Sequence, residues 1–246
     1  MARMSLKADA ARFYLGYLWW IIEPLLYVAV FYVVFDVLLG NRRPDYLVFL
    51  MCGKLTFVWF SKSVVQASRA IVTSKGLISK IDLPKALFPL AAIQEGLYRQ
   101  AAVFALLFVF LLASGFPAGL AWLWLLPVLL VNYLVIVAAS LIAAFLVCLV
   151  FDFSVLVSLG MIFLLFTSGI FWDVRSLPDP AATELVLGLN PIAFLVDAYR
   201  QVLMVGAAPD LLHLGVLGLF AAAVIALVLA IYRQQSQFLA LKAITS

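Results

Sequence analysis

Glu23, Asp36 and Lys54 stand out as ionisable residues inside long apolar runs of the sequence. Charge in hydrocarbon is costly, so such residues usually face a water-filled cavity or an ionic partner. Pro24 follows Glu23 and removes a backbone hydrogen bond, which can open a kink beside the carboxylate. An acid here could bind a lipid headgroup, a basic partner or a passing substrate. Alternatively, Glu23 and Lys54 reach the water outside the apolar layer, although a water-lined path is favoured for Lys54.

The sequence lacks the motifs of the common nucleotide and catalytic sites. It contains no G-x-x-x-x-G-K-[ST] phosphate loop, because Leu55 follows Gly53-Lys54 in an apolar run. His213 is the only histidine, so neither H-E-x-x-H nor a paired-histidine metal site can form, and G-x-S-x-G is also absent. We therefore expect no catalytic residue, no metal site and no cofactor bound by this chain.

Apolar runs occupy most of the chain. Hydrophobic residues make up 67% and charged residues 11% of the 246 residues, and the mean hydropathy is +1.19, whereas soluble domains carry roughly 45–50% apolar and about 25% charged residues. A spanning helix needs about 20 residues, so we predict an all-α membrane protein, residues 1–246, with one transmembrane domain and six transmembrane helices. The predicted spans are Tyr17–Leu39, Tyr46–Val65, Tyr98–Ser114, Trp122–Val150, Val155–Trp172 and Leu211–Tyr232.

Basic residues are concentrated on one side of this arrangement. With six spans, the N-terminus, the loops after the second and fourth spans and the C-terminus share that side, which the positive-inside rule makes cytoplasmic. The basic residues are dispersed between apolar runs, which argues against a nucleic-acid partner. Those on the cytoplasmic side are Arg3, Lys7, Arg12, Lys62, Arg69, Lys75, Lys80, Lys85, Arg99, Arg233 and Lys242, whereas the other side has Arg42, Arg43, Arg175 and Arg200.

Three segments outside the spans carry further predictions. Residues 1–16 place apolar side chains at helical spacing and could lie on the cytoplasmic leaflet as an interfacial helix; a frayed tail is the alternative. Residues 66–94 mix basic and apolar side chains, which predicts an amphipathic helix parallel to the membrane. Residues 173–210 contain apolar stretches broken at Asn190-Pro191, which predicts a re-entrant hairpin before the last span; a surface loop is the alternative.

Short strings at both ends of the chain and before the last span add a resemblance. They are Leu15–Trp19 with Ile22-Glu23-Pro24, Asn190-Pro191 with Asp197 and Arg200, and Leu229–Arg233. Together they resemble the membrane subunits of polysaccharide-exporting ABC transporters, especially those for bacterial capsule, a family that includes O-antigen and teichoic acid exporters. Each string is short, but their order and spacing, with the span plan, extend the resemblance over nearly the whole chain.

The resemblance implies a homodimer in the bacterial inner membrane that exports a lipid-linked polysaccharide through a channel between its two copies. Two separate ATPase subunits, which bind ATP and Mg²⁺, would drive transport, and a periplasmic adaptor protein could dock on residues 173–210. The coupling helix that contacts the ATPase would lie within Ser68–Leu83, although Val150–Ser154 lacks the basic residue of a second contact. The contact candidates are Arg69, Lys75, Leu77, Ile78, Lys80, Ile81 and Asp82.

A conduit for glycan needs aromatic rings that stack on sugars, and basic or hydrogen-bonding groups for hydroxyls and linker phosphates. The aromatic residues near the first span could provide such a wall, and a lipid-facing belt is their alternative role. The conduit candidates are Tyr14, Tyr17, Trp19, Trp20, Glu23, Tyr27 and Lys54, and those of the hairpin are Asn190, Pro191, Asp197 and Arg200.

Other functions fit parts of the same pattern. An ABC exporter of small molecules would share the span plan. A membrane-embedded transferase acting on lipid-linked sugars would need clustered acids or histidines near one interface, and Glu23, Asp36 and Asp152 form no such cluster in sequence. The hypothesis of an ion-coupled carrier is supported only by the few charged residues within the spans.

Overall fold

The computed structural model describes residues 18–38 and 45–245. These residues form helices and connecting turns without a strand, which confirms the all-α prediction for the described part of the chain. The helices are α1 Trp19–Tyr32, α2 Tyr46–Ser68, α3 Ala70–Thr73, α4 Lys75–Ile78, α5 Leu87–Ala113, α6 Leu125–Leu149, α7 Phe153–Thr167, α8 Pro180–Leu189, α9 Pro191–Arg200, α10 Leu211–Gln234 and α11 Ser236–Thr245. The predicted interfacial helix, residues 1–16, lies outside the described residues.

Non-α turns extend three of these helices. α1 continues as π-helix over Val33–Leu38, and α9 continues as π-helix over Gln201–Val205. A 3₁₀ helix, Leu120–Trp124, runs into the start of α6, and a second one, Val174–Ser176, precedes α8. The apolar residues of each span therefore form nearly unbroken rods, as the lack of water in a bilayer demands of backbone polar groups.

Four helices in the described part of the chain are long and apolar enough to cross a membrane: α2, α5, the rod Leu120–Leu149 and α10. Three of them begin within two residues of a predicted span start, at Tyr46, Leu120 and Leu211. α2 is the central helix, since it contacts α5, α6, α7 and α9, while α10 packs mainly against α6. Accordingly, 72% of the most apolar stretch of α2 is buried, against 22% for α10.

Two predicted spans have different bounds in the structure. The third was expected to begin at Tyr98, but α5 begins at Leu87, because Glu95 and Arg99 pair along the helix and let it continue through a polar stretch. The fifth was expected over Val155–Trp172, but α7 has 15 residues and ends before Gly169, whose φ is +67°. Fifteen helical residues measure about 22 Å, less than the roughly 30 Å of a hydrocarbon core.

The predicted hairpin region contains two short helices. α8 and the continuous rod of α9 and its π-helical extension meet at Asn190-Pro191 and are bent by 109°. Asn190 and Pro191 begin α9 favourably, since asparagine caps a helix and proline suits its first turn. The pair would be a fifth membrane crossing if it counts as one broken span. α8 has no buried residue, whereas Ile192–Arg200 is buried throughout.

Candidate functional site

A small cleft opens between α1, α2 and α5. Each helix contributes one charged residue to its lining: Glu23, Lys62 and Arg99. Helical spacing places Trp59 and Ser63 on the same face of α2 as Lys62. The remaining walls are formed by Pro24, Val58, Gln66, Gly96, Gln100 and Val103. The cleft therefore combines charged groups with apolar walls.

The charges of the cleft are paired. Lys62 Nζ donates to Glu23 Oε1 over 2.6 Å, and Arg99 Nη2 donates to Oε1 of Glu95, one turn earlier on α5. Carboxylate and cation cancel in each pair, so the cleft holds no uncompensated charge from these four groups. The side chains of Lys62 and Glu23 are 52% and 33% exposed. A pair this exposed adds little stability, so Lys62 can exchange its partner at low cost.

Two polar atoms beside these pairs are buried without a hydrogen-bond partner among the described residues: Trp59 Nε1 and Ser63 Oγ. Trp59 is 4% and Ser63 is 1% exposed, and an unmade hydrogen bond at such depth costs about 1–3 kcal/mol. Gly96 lets α5 come close here, because a Cβ at Gly96 would lie 2.6 Å from Ser63 Oγ. The neighbouring Gln100 donates to the Leu55 carbonyl over 3.3 Å. The cleft thus contains donors that the described protein leaves unused.

Of the residues in the cleft, the sequence pattern predicted a functional role only for Glu23. Lys62 was interpreted solely as a topology marker. The helical spacing of Trp59, Lys62 and Ser63 within a predicted span was a signal that could have joined them into one face. The opposite charges of Glu95 and Arg99, four residues apart, were a second signal, because this spacing brings side chains together on a helix.

Two of the other conduit candidates, Tyr27 and Lys54, meet between α1 and α2. Lys54 Nζ is 5.4 Å from the centroid of the Tyr27 ring, a cation–π distance, and Lys54 is 8% exposed. Trp19, at the start of α1, is 37% exposed. The structure therefore brings Tyr27 and Lys54 together, and the conduit wall itself stays a prediction. Tyr14 and Tyr17 lie outside the described residues, as does the side chain of Trp20.

The α2–α5 turn, residues 69–86, corrects the prediction of one amphipathic helix in residues 66–94, which was expected to include the coupling helix within Ser68–Leu83. It contains two helices of four residues each, α3 and α4, with breaks at Arg69, Ser74 and Ser79. Serine and glycine have low helix propensity, and serine hydroxyls compete for backbone groups. The composition of Thr73–Ser79 therefore favours turns over a continuous helix.

The C-terminal helix α11 packs on this turn and buries one of the predicted contact residues. Ile78 is 7% exposed, and Leu239 and Ala243 of α11 are fully buried. Because α11 contacts α3 and α4, Ile78 lies in the interior and cannot be a surface contact for a partner. Leu77 is half-buried, and Ile81 is 51% exposed. The other exposed contact candidates are Arg69, Lys75, Lys80 and Asp82.

Asp82 has a structural partner of its own. Nζ of Lys85 lies 2.9 Å from Asp82 Oδ1 and donates to the Leu83 carbonyl at the same distance. The Lys85 side chain is 2% exposed, while that of Asp82 is 97% exposed. A buried ammonium group needs such partners. Asp82 therefore stabilises the turn just before α5 by pairing with Lys85.

The residues predicted for the hairpin form what we call the polar lock: Asn190, Pro191, Asp197, Arg200 and their partners. Asn190 Oδ1 accepts from the amides of Ile192 and Ala193 over 3.0 and 3.1 Å, which caps α9. Its Nδ2 donates to Ser168 Oγ over 3.0 Å. Asn190 therefore ties the beginning of α9 to the end of α7.

Arg200 lies at the centre of the lock. It is 7% exposed, and its guanidinium donates to the carbonyls of Gly169 and Ile170 over 2.6 and 2.9 Å. Its Nε also donates to the Phe49 carbonyl over 3.3 Å, and its Cζ lies 3.3 Å from the centroid of the Phe49 ring. Gly53 leaves the necessary room, because a Cβ there would come within 2.5 Å of the guanidinium. Arg200 thus holds the end of α7 to the beginning of α2.

Asp197 completes the lock through a bidentate pair with Arg175. Arg175 Nε donates to Oδ1 over 2.9 Å and Nη2 donates to Oδ2 over 2.8 Å. These hydrogen bonds raise the pKa of Arg175 above its ordinary value. Asp197 is 6% exposed. The hairpin residues consequently hold helices together, and the structure brings none of them to the cleft.

Comparison with known proteins places these features in a family. The model of the ABC-2 type transporter family matches residues 3–204. The chain belongs to the ABC-2 type transporter family. The family match covers the cleft, the α2–α5 turn and the polar lock, but not α10 and α11. The resemblance to ABC transporter membrane subunits was predicted from three parts of the sequence. Two of them, the first span and the Asn190–Arg200 stretch, lie within the region that the ABC-2 family matches.

This ABC-2 chain is similar to proteins that are named for the export or transport of polysaccharides. It is 26% identical over 204 residues to the O-antigen export system permease protein RfbA of Klebsiella pneumoniae, covering 82% of this chain and 78% of that protein. It is 26% identical over 214 residues to RfbA of Myxococcus xanthus, covering 85% and 81%. It is 24% identical over 255 residues to the polysialic acid transport protein KpsM of Escherichia coli, covering 95% and 91%. The resemblance to this group of proteins is confirmed.

Proposed function

We propose that this ABC-2 protein is the membrane subunit of an ATP-driven exporter that moves a lipid-linked polysaccharide across the bacterial inner membrane. The glycan is of the capsule or O-antigen type. The observation that carries the proposal is the set of relatives: proteins named for O-antigen export and polysialic acid transport align over 78–95% of this chain. The alignment with the polysialic acid transport protein extends over nearly the whole chain.

The proposed topology has six crossings, with α1 and α7 added to the four long helices, and both termini in the cytoplasm. α8 and α9 form the re-entrant hairpin on the outer side, and the exposed face of α8 offers a periplasmic adaptor its contact. The basic α2–α5 turn supports the orientation, because Arg69, Lys75 and Lys80 are exposed on it.

Energy comes from two copies of a separate ATPase, which bind ATP and Mg²⁺. The exposed residues of the α2–α5 turn form the contact, with Ile81 as its apolar centre. The absence of a phosphate loop from the sequence agrees with this division of labour. Two copies of the chain form the glycan channel between them. The exposed aromatic residues Trp19 and Tyr27 of α1 fit a channel wall, because sugar faces stack on such rings.

Reconstitution tests the proposal directly. The tagged chain is expressed in its native bacterial host and purified together with the proteins that bind it. The complex is placed in liposomes, and a fluorescent lipid-linked glycan is added to the outside. We expect an ATPase subunit to co-purify and the glycan to become protected from an added glycosidase only with ATP. A complex whose ATPase lacks its phosphate-loop lysine is the control.

Two results contradict the proposal. One is purification of the chain without any ATP-hydrolysing subunit. The other is ATP-dependent movement of a small fluorescent compound while the glycan stays outside, which would place the chain among exporters of small molecules.

A further inference from the structure

The cleft between α1, α2 and α5 has more hydrogen-bond donors than the protein uses. Trp59 Nε1 can only donate, and Ser63 Oγ can donate one hydrogen; neither has a partner among the described residues. Lys62 Nζ carries three hydrogens and donates one of them to Glu23 Oε1. A ligand that complements these groups must present several acceptor oxygens close together.

The depth of the cleft narrows the choice of ligand. Lys62 lies six residues before Ser68, where α2 ends and the basic α2–α5 turn begins, so it is about 9 Å from the end of the helix. Counted from the end of α2, this depth reaches the boundary between the headgroup layer and the hydrocarbon core, since the polar layers add roughly 5–8 Å on each side. Phosphates of lipids occupy that layer.

The walls and charges of the cleft favour an anion that carries an apolar chain over a free anion. The charges of Lys62 and Arg99 are each balanced by a carboxylate, so a free anion gains no net attraction from the four groups. Pro24, Val58 and Val103 add apolar surface to the lining. A ligand gains from this surface only if it carries an apolar chain beside its oxygens.

We infer that this cleft binds the phosphate group of a lipid, with Trp59, Ser63 and Lys62 as donors and the apolar walls against the adjoining chain. Glu23 competes with the phosphate for Lys62, so the ion pair closes the site when it is empty. The inference deepens the proposed function, on which the identity of the lipid rests: in an exporter of lipid-linked glycan, the phosphate is that of the carrier lipid. A bulk phospholipid offers the same chemistry.

The test measures lipid binding to the purified chain in nanodiscs of zwitterionic lipid by native mass spectrometry. The probes are a polyisoprenyl phosphate, the polyisoprenol of the same length, phosphatidylglycerol and inorganic phosphate. We expect polyisoprenyl phosphate to bind at least about tenfold more tightly than polyisoprenol, because hydrogen bonds between charged groups are strong. Inorganic phosphate should neither bind nor compete.

Substitutions assign the binding to the cleft. Trp59→Phe and Ser63→Ala each remove one donor and should weaken binding about fivefold, the effect of one net hydrogen bond. Lys62→Met should weaken it about tenfold. Glu23→Gln removes the competitor and should strengthen binding about threefold, the value of a partly exposed ion pair. The matched control is Trp124→Phe, since Trp124 is an exposed indole outside the cleft, and its affinity should equal that of the wild type.

The outcomes separate the inference from the proposed function. Preference for polyisoprenyl phosphate over phosphatidylglycerol supports both. Equal binding of the two phosphate lipids, with the same response to the substitutions, supports the phosphate site but assigns it to bulk lipid. Equal binding of the phosphate and the alcohol overturns the inference, as does unchanged affinity in Trp59→Phe, Ser63→Ala and Lys62→Met proteins of normal thermal stability.

Discussion

At one end of α2, Arg200 of the polar lock is buried and donates to three backbone carbonyls. At the other end, the α2–α5 turn carries the exposed residues Lys75 and Lys80. Nearly the whole length of α2 separates these groups. A cation at the first end is a structural component, whereas a cation at the second end is available to a partner.

The difference follows from desolvation. A guanidinium that has lost its water must be saturated by the protein, and Arg200 achieves this with three carbonyls and the Phe49 ring. Removal of such a group leaves its partners unsatisfied. An exposed lysine keeps its water, and its contacts contribute about 0–1 kcal/mol. Charge on this protein is therefore informative about function mainly where it is exposed, or where it lines the cleft.

The largest effect should come from the centre of the lock. Arg200→Met removes the guanidinium while keeping an apolar stem, and it leaves the carbonyls of Gly169 and Ile170 without these donors. We expect a loss of about 3–5 kcal/mol in the free energy of unfolding, measured by denaturation in mixed micelles. The exposed Arg233 provides the control: Arg233→Met should change stability by less than about 0.5 kcal/mol. Equal stability of the two variants would show that the lock is dispensable.

The second effect compares two isoleucines of the α2–α5 turn, three residues apart. Ile78→Glu places a carboxylate in the contact with α11 and should destabilise the protein by at least about 2 kcal/mol. Ile81→Glu changes an exposed side chain and should leave unfolding unchanged, but it should abolish co-purification of the ATPase. If both variants fold and bind the ATPase normally, the turn is not the contact. If Ile81→Glu alone unfolds, the assigned burial of the two residues is wrong.

Patterns within one segment of the chain were enough to predict much of the fold. Apolar runs bounded by polar residues placed the beginnings of α2 and α10 at Tyr46 and Leu211. Asn190-Pro191 predicted the break between α8 and α9, because capping by asparagine and the fixed φ of proline are local properties. The sequence could not specify whether this pair of helices enters the membrane.

Features that depend on distant segments were not predictable in the same way. Ile78 has the spacing of a surface contact, and only α11, more than 150 residues later, buries it. Arg200 was expected in a re-entrant hairpin, but its partner Phe49 lies 151 residues earlier. The cleft needs α1, α2 and α5 to meet. A single sequence gives the chemistry of such residues but does not give the neighbours that determine their roles.

A moderate effect should separate the two tasks of Asn190. Asn190→Ala loses both the cap of α9 and the hydrogen bond to Ser168, and should cost about 1–2 kcal/mol of unfolding free energy. Asn190→Asp keeps an oxygen that caps the helix but cannot donate to Ser168. Its stability should therefore fall between those of the wild type and Asn190→Ala. A thermal melt of the three proteins in detergent measures the order, and an Asp variant as unstable as the Ala variant would assign the whole effect to the contact with α7.

The smallest effect on stability should come from the cleft, where the effect on transport should be large. Glu23→Gln keeps the shape of the side chain, removes its charge, and should change unfolding by less than about 1 kcal/mol, because the pair with Lys62 is partly exposed. If the cleft holds the carrier phosphate, the freed Lys62 retains it longer, and polymer export should fall although dimer formation and ATPase binding stay normal.

Trp19→Ala should lower export as well if its exposed ring contacts glycan. Normal surface polymer in both well-expressed variants would move the conduit wall away from this end of α1, toward Lys54, and would leave the polar lock as the part of the molecule in which charge matters most.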